Sequence, residues 1–245
     1  MSPRHTIHST RAAAEHHVAL EIVELIAENP RAVIGVATGS TMTGVYRALI
    51  SAAVERSLDA SGVSCFSLDE YIGVPEGDAR LFRSVLEGHL VDELGLRPEQ
   101  LITPDPRLAA QRPEAAAAAY ERALESAGGV DLQLLGIGRN GHVAFNEPGA
   151  RSDSLTRTVP LEARTREDAA GTFGGLATTP TEAITVGIGT ILRARRLRLL
   201  AFGEGKAGII ARTLQGPVSE DVPATLLRGH PDLEFHLDAE AAAAL

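Results

Sequence analysis

The chain has 245 residues, 44% hydrophobic and 22% charged, which suffices for a packed core and excludes a disordered chain. A formal net charge of −9 with scattered basic residues excludes a nucleic-acid groove, and no apolar run reaches the ~18 residues of a membrane span. Met1 to Thr10 lacks the apolar stretch of a signal peptide and Cys65 is the single cysteine, so no disulfide framework is expected and the cytoplasm is the expected location.

Thr10 to Asn29 places Ala14, Val18, Ile22, Leu25 and Ile26 at helical spacing, with Pro30 as the stop. Ala32 to Ala37 is a continuous apolar run of strand length, and the helical stretch after it carries Val45, Leu49, Ile50, Ala53 and Val54. The pattern repeats with a strand over Val63 to Leu68 and a helix over Ala79 to Leu94. A proline-rich connection leads to an alanine-rich helix over Pro113 to Ala127. Further strands are expected at Asp131–Ile137, Ala183–Ile188, Leu197–Phe202 and Leu233–Leu237, and the alanines of 241–244 are helix formers. No linker divides this alternation. It predicts an α/β fold: a single doubly wound domain over residues 1–245, with a mainly parallel sheet flanked by helices. In such a sheet the ligand site lies at the carboxyl edge of the strands.

Four clusters sit at those edges. Thr38-Gly39-Ser40-Thr41 offers hydroxyls, a close backbone approach and a helix start, which together suit a phosphate-sized anion. A well-capped turn would need no more, and the segment is neither a Walker loop nor GxGxxG. At Leu68-Asp69-Glu70-Tyr71, period 2 sends the two acids to opposite sides, so one can face a cleft while the other is structural. Gly136-Ile137-Gly138-Arg139-Asn140-Gly141-His142 runs on through Val143-Ala144-Phe145-Asn146-Glu147-Pro148-Gly149. A histidine in such a loop is placed for general acid–base work, and no second His or Cys stands at zinc-ligand spacing. Last, Phe202-Gly203-Glu204-Gly205-Lys206 holds the chain's single lysine, expected in the first turn of a helix. A cation there is unfavourable against the helix dipole unless it serves an anion.

Together these segments resemble the glucosamine-6-phosphate deaminase (isomerase) family over nearly the whole chain, the His…Phe-Asn-Glu-Pro loop most specifically. The resemblance implies conversion of an amino-sugar 6-phosphate and water into fructose 6-phosphate and ammonium, with no metal and no organic cofactor. It matches Asp69 to the base that moves a proton between C2 and C1. It matches His142 to the residue that opens the pyranose ring, supported by Asn140 and Glu147. Thr38, Gly39, Ser40, Thr41, Gly138 and Lys206 fall on substrate- and phosphate-binding positions. The implied partner is a small amino-sugar phosphate, with no nucleic acid or membrane, and a homo-oligomer is left open.

Three departures from the family pattern stand out. Asn140 replaces a common Asp; it can orient His142 but cannot stabilise an imidazolium by charge. Val159 stands where allosteric members carry a Lys, so no activator pocket is expected. Gly171 and Thr172 stand where many members place a phosphate-binding Arg before the Phe matching Phe173, which leaves Arg164 or Arg166 as substitutes. Galactosamine-6-phosphate deaminases are similar as well. 6-Phosphogluconolactonase and a sugar-phosphate sensing module of a transcription regulator are the more distant alternatives.

Overall fold

Seven parallel strands form the centre of the computed structural model, which describes residues 3–245. Met1 and Ser2, included in the expected domain and in the Met1–Thr10 reading, lie outside the described residues. In chain order the strands are β1 (Arg4–His8), β2 (Val33–Val36), β3 (Ser64–Ser67), β4 (Asp69–Tyr71), β5 (Leu101–Ile102), β6 (Leu132–Leu135), β7 (Arg157–Pro160), β8 (Glu182–Thr185), β9 (Arg196–Ala201) and β10 (Leu233–Asp238). The large sheet has the order β1-β10-β9-β6-β2-β3-β5, with every pair parallel. The chain winds outward in both directions from the junction of β2 and β6, where Ile34 lies beside Leu132. That junction is the topological switch point, the place where such sheets open a crevice.

The helices are α1 (Arg11–Glu28), α2 (Ser40–Glu55), α3 (Phe82–Leu86), α4 (Asp92–Leu94), α5 (Pro106–Gln111), α6 (Pro113–Ser126), α7 (Ala163–Phe173), α8 (Ile188–Ile191) and α9 (Ala207–Gln215). Thr10 caps α1 by accepting from the Ala13 N–H at 3.1 Å, and Val18, Ile22, Val23 and Ile26 bury the inner face. β2 and β6 are buried at every position, as strands covered on both faces must be. The doubly wound, mainly parallel architecture is the one expected. No helix among the described residues is long and apolar enough to cross a membrane.

Four local expectations need correction. The N-terminal segment forms β1, an edge strand paired with β10, where no strand was expected. Ala183–Ile188 does not join the parallel sheet: β8 is the middle of a small antiparallel sheet, β4-β8-β7. The Ala79–Leu94 helix begins only at Phe82, because Leu81 is extended, and a π-turn at Glu87–Val91 separates α3 from α4. The alanines of 241–244 form hydrogen-bonded turns, such as Ala242 N–H to Asp238 O at 3.1 Å, rather than a helix. So short a run cannot meet the cost of helix nucleation on its own.

Leu68 joins the two sheets. Its N–H donates to Val36 O of β2 at 3.3 Å, and its carbonyl accepts from Val186 just after β8 at 2.8 Å. One residue later the chain is already in the small sheet, and Asp69 is its first residue.

Candidate active site

A cleft of about 550 Å³ opens at the carboxyl ends of β2 and β6, and eight of the ten expected site residues line it: Thr38, Gly39, Ser40, Thr41, Asp69, Gly138, His142 and Lys206. Asn140 and Glu147 stand behind His142.

The β2–α2 turn is held from inside. Buried Tyr46 donates its hydroxyl to Ala37 O at 2.6 Å and accepts from the Ala37 N–H at 3.1 Å, which fixes the strand end. Gly39 caps α2 at φ 101° and ψ 164°, a conformation that a side chain would strain. No side chain caps this helix, so its first N–H groups remain available to an anion. Arg11 reaches Ser40 O at 2.5 Å while its guanidinium lies 5.1 Å above the Phe202 ring. It thereby ties the α2 start to the strand end that leads to Lys206.

The two acids of β4 divide as period 2 requires. Glu70 is buried and accepts from the backbone N–H groups of Tyr71, Phe82 and Arg83 at 2.9–3.0 Å, a structural task that anchors the start of α3. Asp69, 7% exposed, faces the cleft. Burial, and secondly the neighbouring Glu70 carboxylate, pushes its pKa up to about 8.

The glycine loop presents His142. The loop closes with Gly138 N–H to His142 O at 2.9 Å and Gly141 N–H to Gly138 O at 3.0 Å. A Cβ on Gly138 would fall 2.2–2.4 Å from the imidazole atoms, so the ring lies against bare backbone. His142 Nδ1 is 3.2 Å from Glu147 Oε2, an ion-pair distance without an aligned hydrogen bond, and this turns Nε2 to the cleft. Asn140 does not take that place. Its Nδ2 donates to Glu147 Oε2 at 2.7 Å, and its Oδ1 accepts from the His142 backbone N–H at 3.2 Å. The carboxylate able to stabilise an imidazolium is therefore Glu147, with Asn140 as its anchor, and Thr165 Oγ1 on α7 donates to the other oxygen. Burial opposes the Glu147 charge, but His142, Thr165 and Asn140 outweigh it and hold the carboxyl below its ordinary range.

Lys206 lies in a 3₁₀ turn at Glu204–Lys206 and caps α9, just ahead of the helix where it was expected. Its Nζ donates to Ile137 O at 2.7 Å. Burial, and then the Arg139 charge, lowers its pKa.

Neither substitute arginine lines the cleft. Arg166 donates to the carbonyls of Leu176, Thr179 and Pro180, and Arg164 is exposed. Val159 packs beside Tyr71, Phe145 and Phe173. Sequence reading missed Thr165, Asp168 and Thr172 of α7 and His89 of the π-turn as cleft residues. A lone Thr, Asp or His within a helical stretch carries no composition signal; only the local loss of α-geometry at His89 marks a special position, and no periodicity reveals that. Among the described residues no group of three His, Cys, Asp or Glu is placed to hold a metal ion.

The family described as glucosamine-6-phosphate isomerases/6-phosphogluconolactonase matches residues 6–235. A glucosamine-6-phosphate deaminase of Bifidobacterium longum (strain NCC 2705) is 43% identical over 231 residues, covering 91% of this chain and 86% of that protein. One of Streptomyces avermitilis is 44% identical over 229 residues, covering 93% and 87%. A solved monomeric glucosamine-6-phosphate deaminase superposes with a TM-score of 0.95 at 35% identity, over 99% of this chain and 100% of that one. The 6-phosphogluconolactonase of Trypanosoma cruzi shares the fold at a TM-score of 0.81 and 21% identity, over 100% and 98% of the two chains. By profile, by identity over nine-tenths of its length and by fold, the chain belongs to the glucosamine-6-phosphate isomerase/6-phosphogluconolactonase family.

Proposed function

We propose that this chain is a glucosamine-6-phosphate deaminase, converting glucosamine 6-phosphate and water into fructose 6-phosphate and ammonium. One observation carries the reading: a buried carboxylate and a carboxylate-backed imidazole share a cleft with an uncapped helix start and the single lysine. The chemistry needs each part. His142 Nε2 takes the proton of the anomeric hydroxyl and returns it to the ring oxygen as the C1–O5 bond breaks, while Glu147 holds the transient imidazolium. Asp69, ionised, takes the C2 proton as O1 gains one from the C2 ammonium, which gives a neutral enolamine. The same proton returns at C1, leaving an imine at C2 that water hydrolyses with loss of ammonium. Thr38 to Thr41 and Lys206 hold the phosphate and so fix C1 and C2 against the base.

We infer a cytoplasmic enzyme acting on a small molecule. A homo-oligomer stands beside the monomer described for the 35% identical neighbour, and sedimentation decides between them. Ammonium release from glucosamine 6-phosphate and galactosamine 6-phosphate, run beside hydrolysis of 6-phosphogluconolactone, tests the reading. Release from the gluco epimer supports it. Release from the galacto epimer alone, lactone hydrolysis alone, or binding without turnover each overturns it.

A further inference from the structure

The cleft holds cationic side chains beyond the lysine that the proposed phosphate contacts use. Three cationic chains line it besides the imidazoles: Arg80, Arg139 and Lys206. Arg80 is already committed, since Asp78 chelates it at 2.8 and 2.5 Å and its guanidinium lies 5.1 Å above Phe173. Arg139 is differently placed. Lys206 Nζ is bonded to Ile137 O, which puts the ammonium under the glycine loop, and Arg139 is two residues farther along that loop. Arg11, touching both Ser40 and the Phe202 ring, brings the α2 start to the same corner. Arg139 and Lys206 line one cleft with the uncapped start of α2, and the Arg139 charge is felt at Lys206 with Asp168 partly offsetting it, so the corner suits an anion. The guanidinium of Arg139 meets an exposed carboxylate on α7, that of Asp168, which also lines the cleft.

We propose that Arg139 is the second cation of the phosphate subsite, exchanging Asp168 for the substrate phosphate and so taking the role for which the sequence offered only Arg164 or Arg166. This rests on the reading of the cleft as a sugar-phosphate site. An arginine there grips two phosphate oxygens with its planar fork, while Lys206 supplies a point charge. Asp168 plays the opposite part: it occupies the guanidinium in the empty cleft and opposes an incoming dianion. The ion pair between α7 and the loop is then exchanged, while Thr165 Oγ1 keeps its bond to Glu147.

Inorganic phosphate is the probe, measured by calorimetry and as an inhibitor of ammonium release. Arg139→Met should weaken phosphate binding and raise KM together, by about ten- to a hundredfold, with kcat changed less than about threefold. Arg139→Lys should restore part of this, and Asp168→Asn should tighten phosphate binding. Arg164→Met should leave both constants unchanged. Unaltered phosphate affinity and KM in Arg139→Met, with ammonium still released, would overturn the proposal and leave the deaminase reading standing. Weakened phosphate binding in a chain that deaminates no amino-sugar phosphate would do the reverse. If Arg139→Met fails to fold, Arg139→Gln and Asp168→Asn carry the same comparison, and unchanged phosphate affinity in both overturns the proposal.

Discussion

The environment of Asp69 makes a two-sided prediction about one substitution, Asp69→Asn. Burial and Glu70 push the Asp69 pKa up to about 8 from 3.8. For catalysis this means that about one molecule in ten holds the ionised base at pH 7, and about one in a hundred at pH 6. kcat/KM for ammonium release should therefore climb close to tenfold per unit up to pH 8, a limb distinct from the phosphate ionisation near 6. For stability, the unfolded chain releases this proton near 3.8 while the folded chain keeps it until about 8. The folded state thus binds more protons throughout that window, and stability falls as pH rises through it. Integrated to pH 7, at about 1.4 kcal/mol per unit, the buried carboxyl costs roughly 4 kcal/mol. Asparagine has no proton to lose. Asp69→Asn should abolish turnover and at the same time stabilise the fold against urea, by little at pH 4.5 and by several kcal/mol at pH 8. A kcat/KM flat from pH 6 to 8, or an Asp69→Asn gain in stability that does not grow with pH, would refute the argument.

Three further outcomes follow from contacts described above. Gly138→Ala puts a Cβ where the His142 ring lies, so kcat should fall at least tenfold while the unfolding transition stays cooperative; unchanged kcat would mean that the ring is free to move. Thr165→Val removes the hydroxyl that helps hold the Glu147 carboxylate behind His142, so kcat should drop about three- to tenfold, with Thr165→Ser restoring it. An unchanged kcat in Thr165→Val assigns the residue to packing alone. His236 is fully buried against His8, with Nε2 unpartnered, and burial lowers its pKa to about 4 from 6.5. Its stabilising contribution is present above pH 6.5 and lost as pH falls toward 4, by at most roughly 3 kcal/mol, so wild type should lose stability relative to His236→Leu as pH falls across that window; a constant difference would refute it.

The sequence made the central strands legible because β2 and β6 are buried throughout and nearly all apolar, while β9 and β10 carry apolar residues at alternate positions, as in Leu233, Phe235 and Leu237. β1 escaped because Arg-His-Thr-Ile-His is an edge strand, largely exposed, whose partner in β10 is about 230 residues away. Ala183 to Thr185 is as buried as any parallel strand, so composition could not say to which sheet it belongs. The strand-end clusters were legible because a parallel sheet sends every such turn to one edge. Their wiring was not. Whether Asn140 or Glu147 faces His142 is decided by side-chain direction within one loop, and Thr165 reaches Glu147 from 18 residues away.

The handover at Leu68 has a consequence for size selection. Asp69 rides on the small antiparallel sheet, and the His142 loop is fastened to that sheet through Phe145 N–H to Thr185 Oγ1 at 3.1 Å and Asn146 Nδ2 to Val186 O at 2.8 Å. The turn at Thr38 to Thr41 and the one at Lys206 belong instead to β2 and β9 of the large sheet. On the proposed function, the two ends of the sugar phosphate meet two different frames, joined by the backbone at Leu68 and by these two bonds from the glycine loop. The separation of those frames works as a caliper: a chain one carbon shorter between its phosphate and its reacting carbon would reach one jaw but not both.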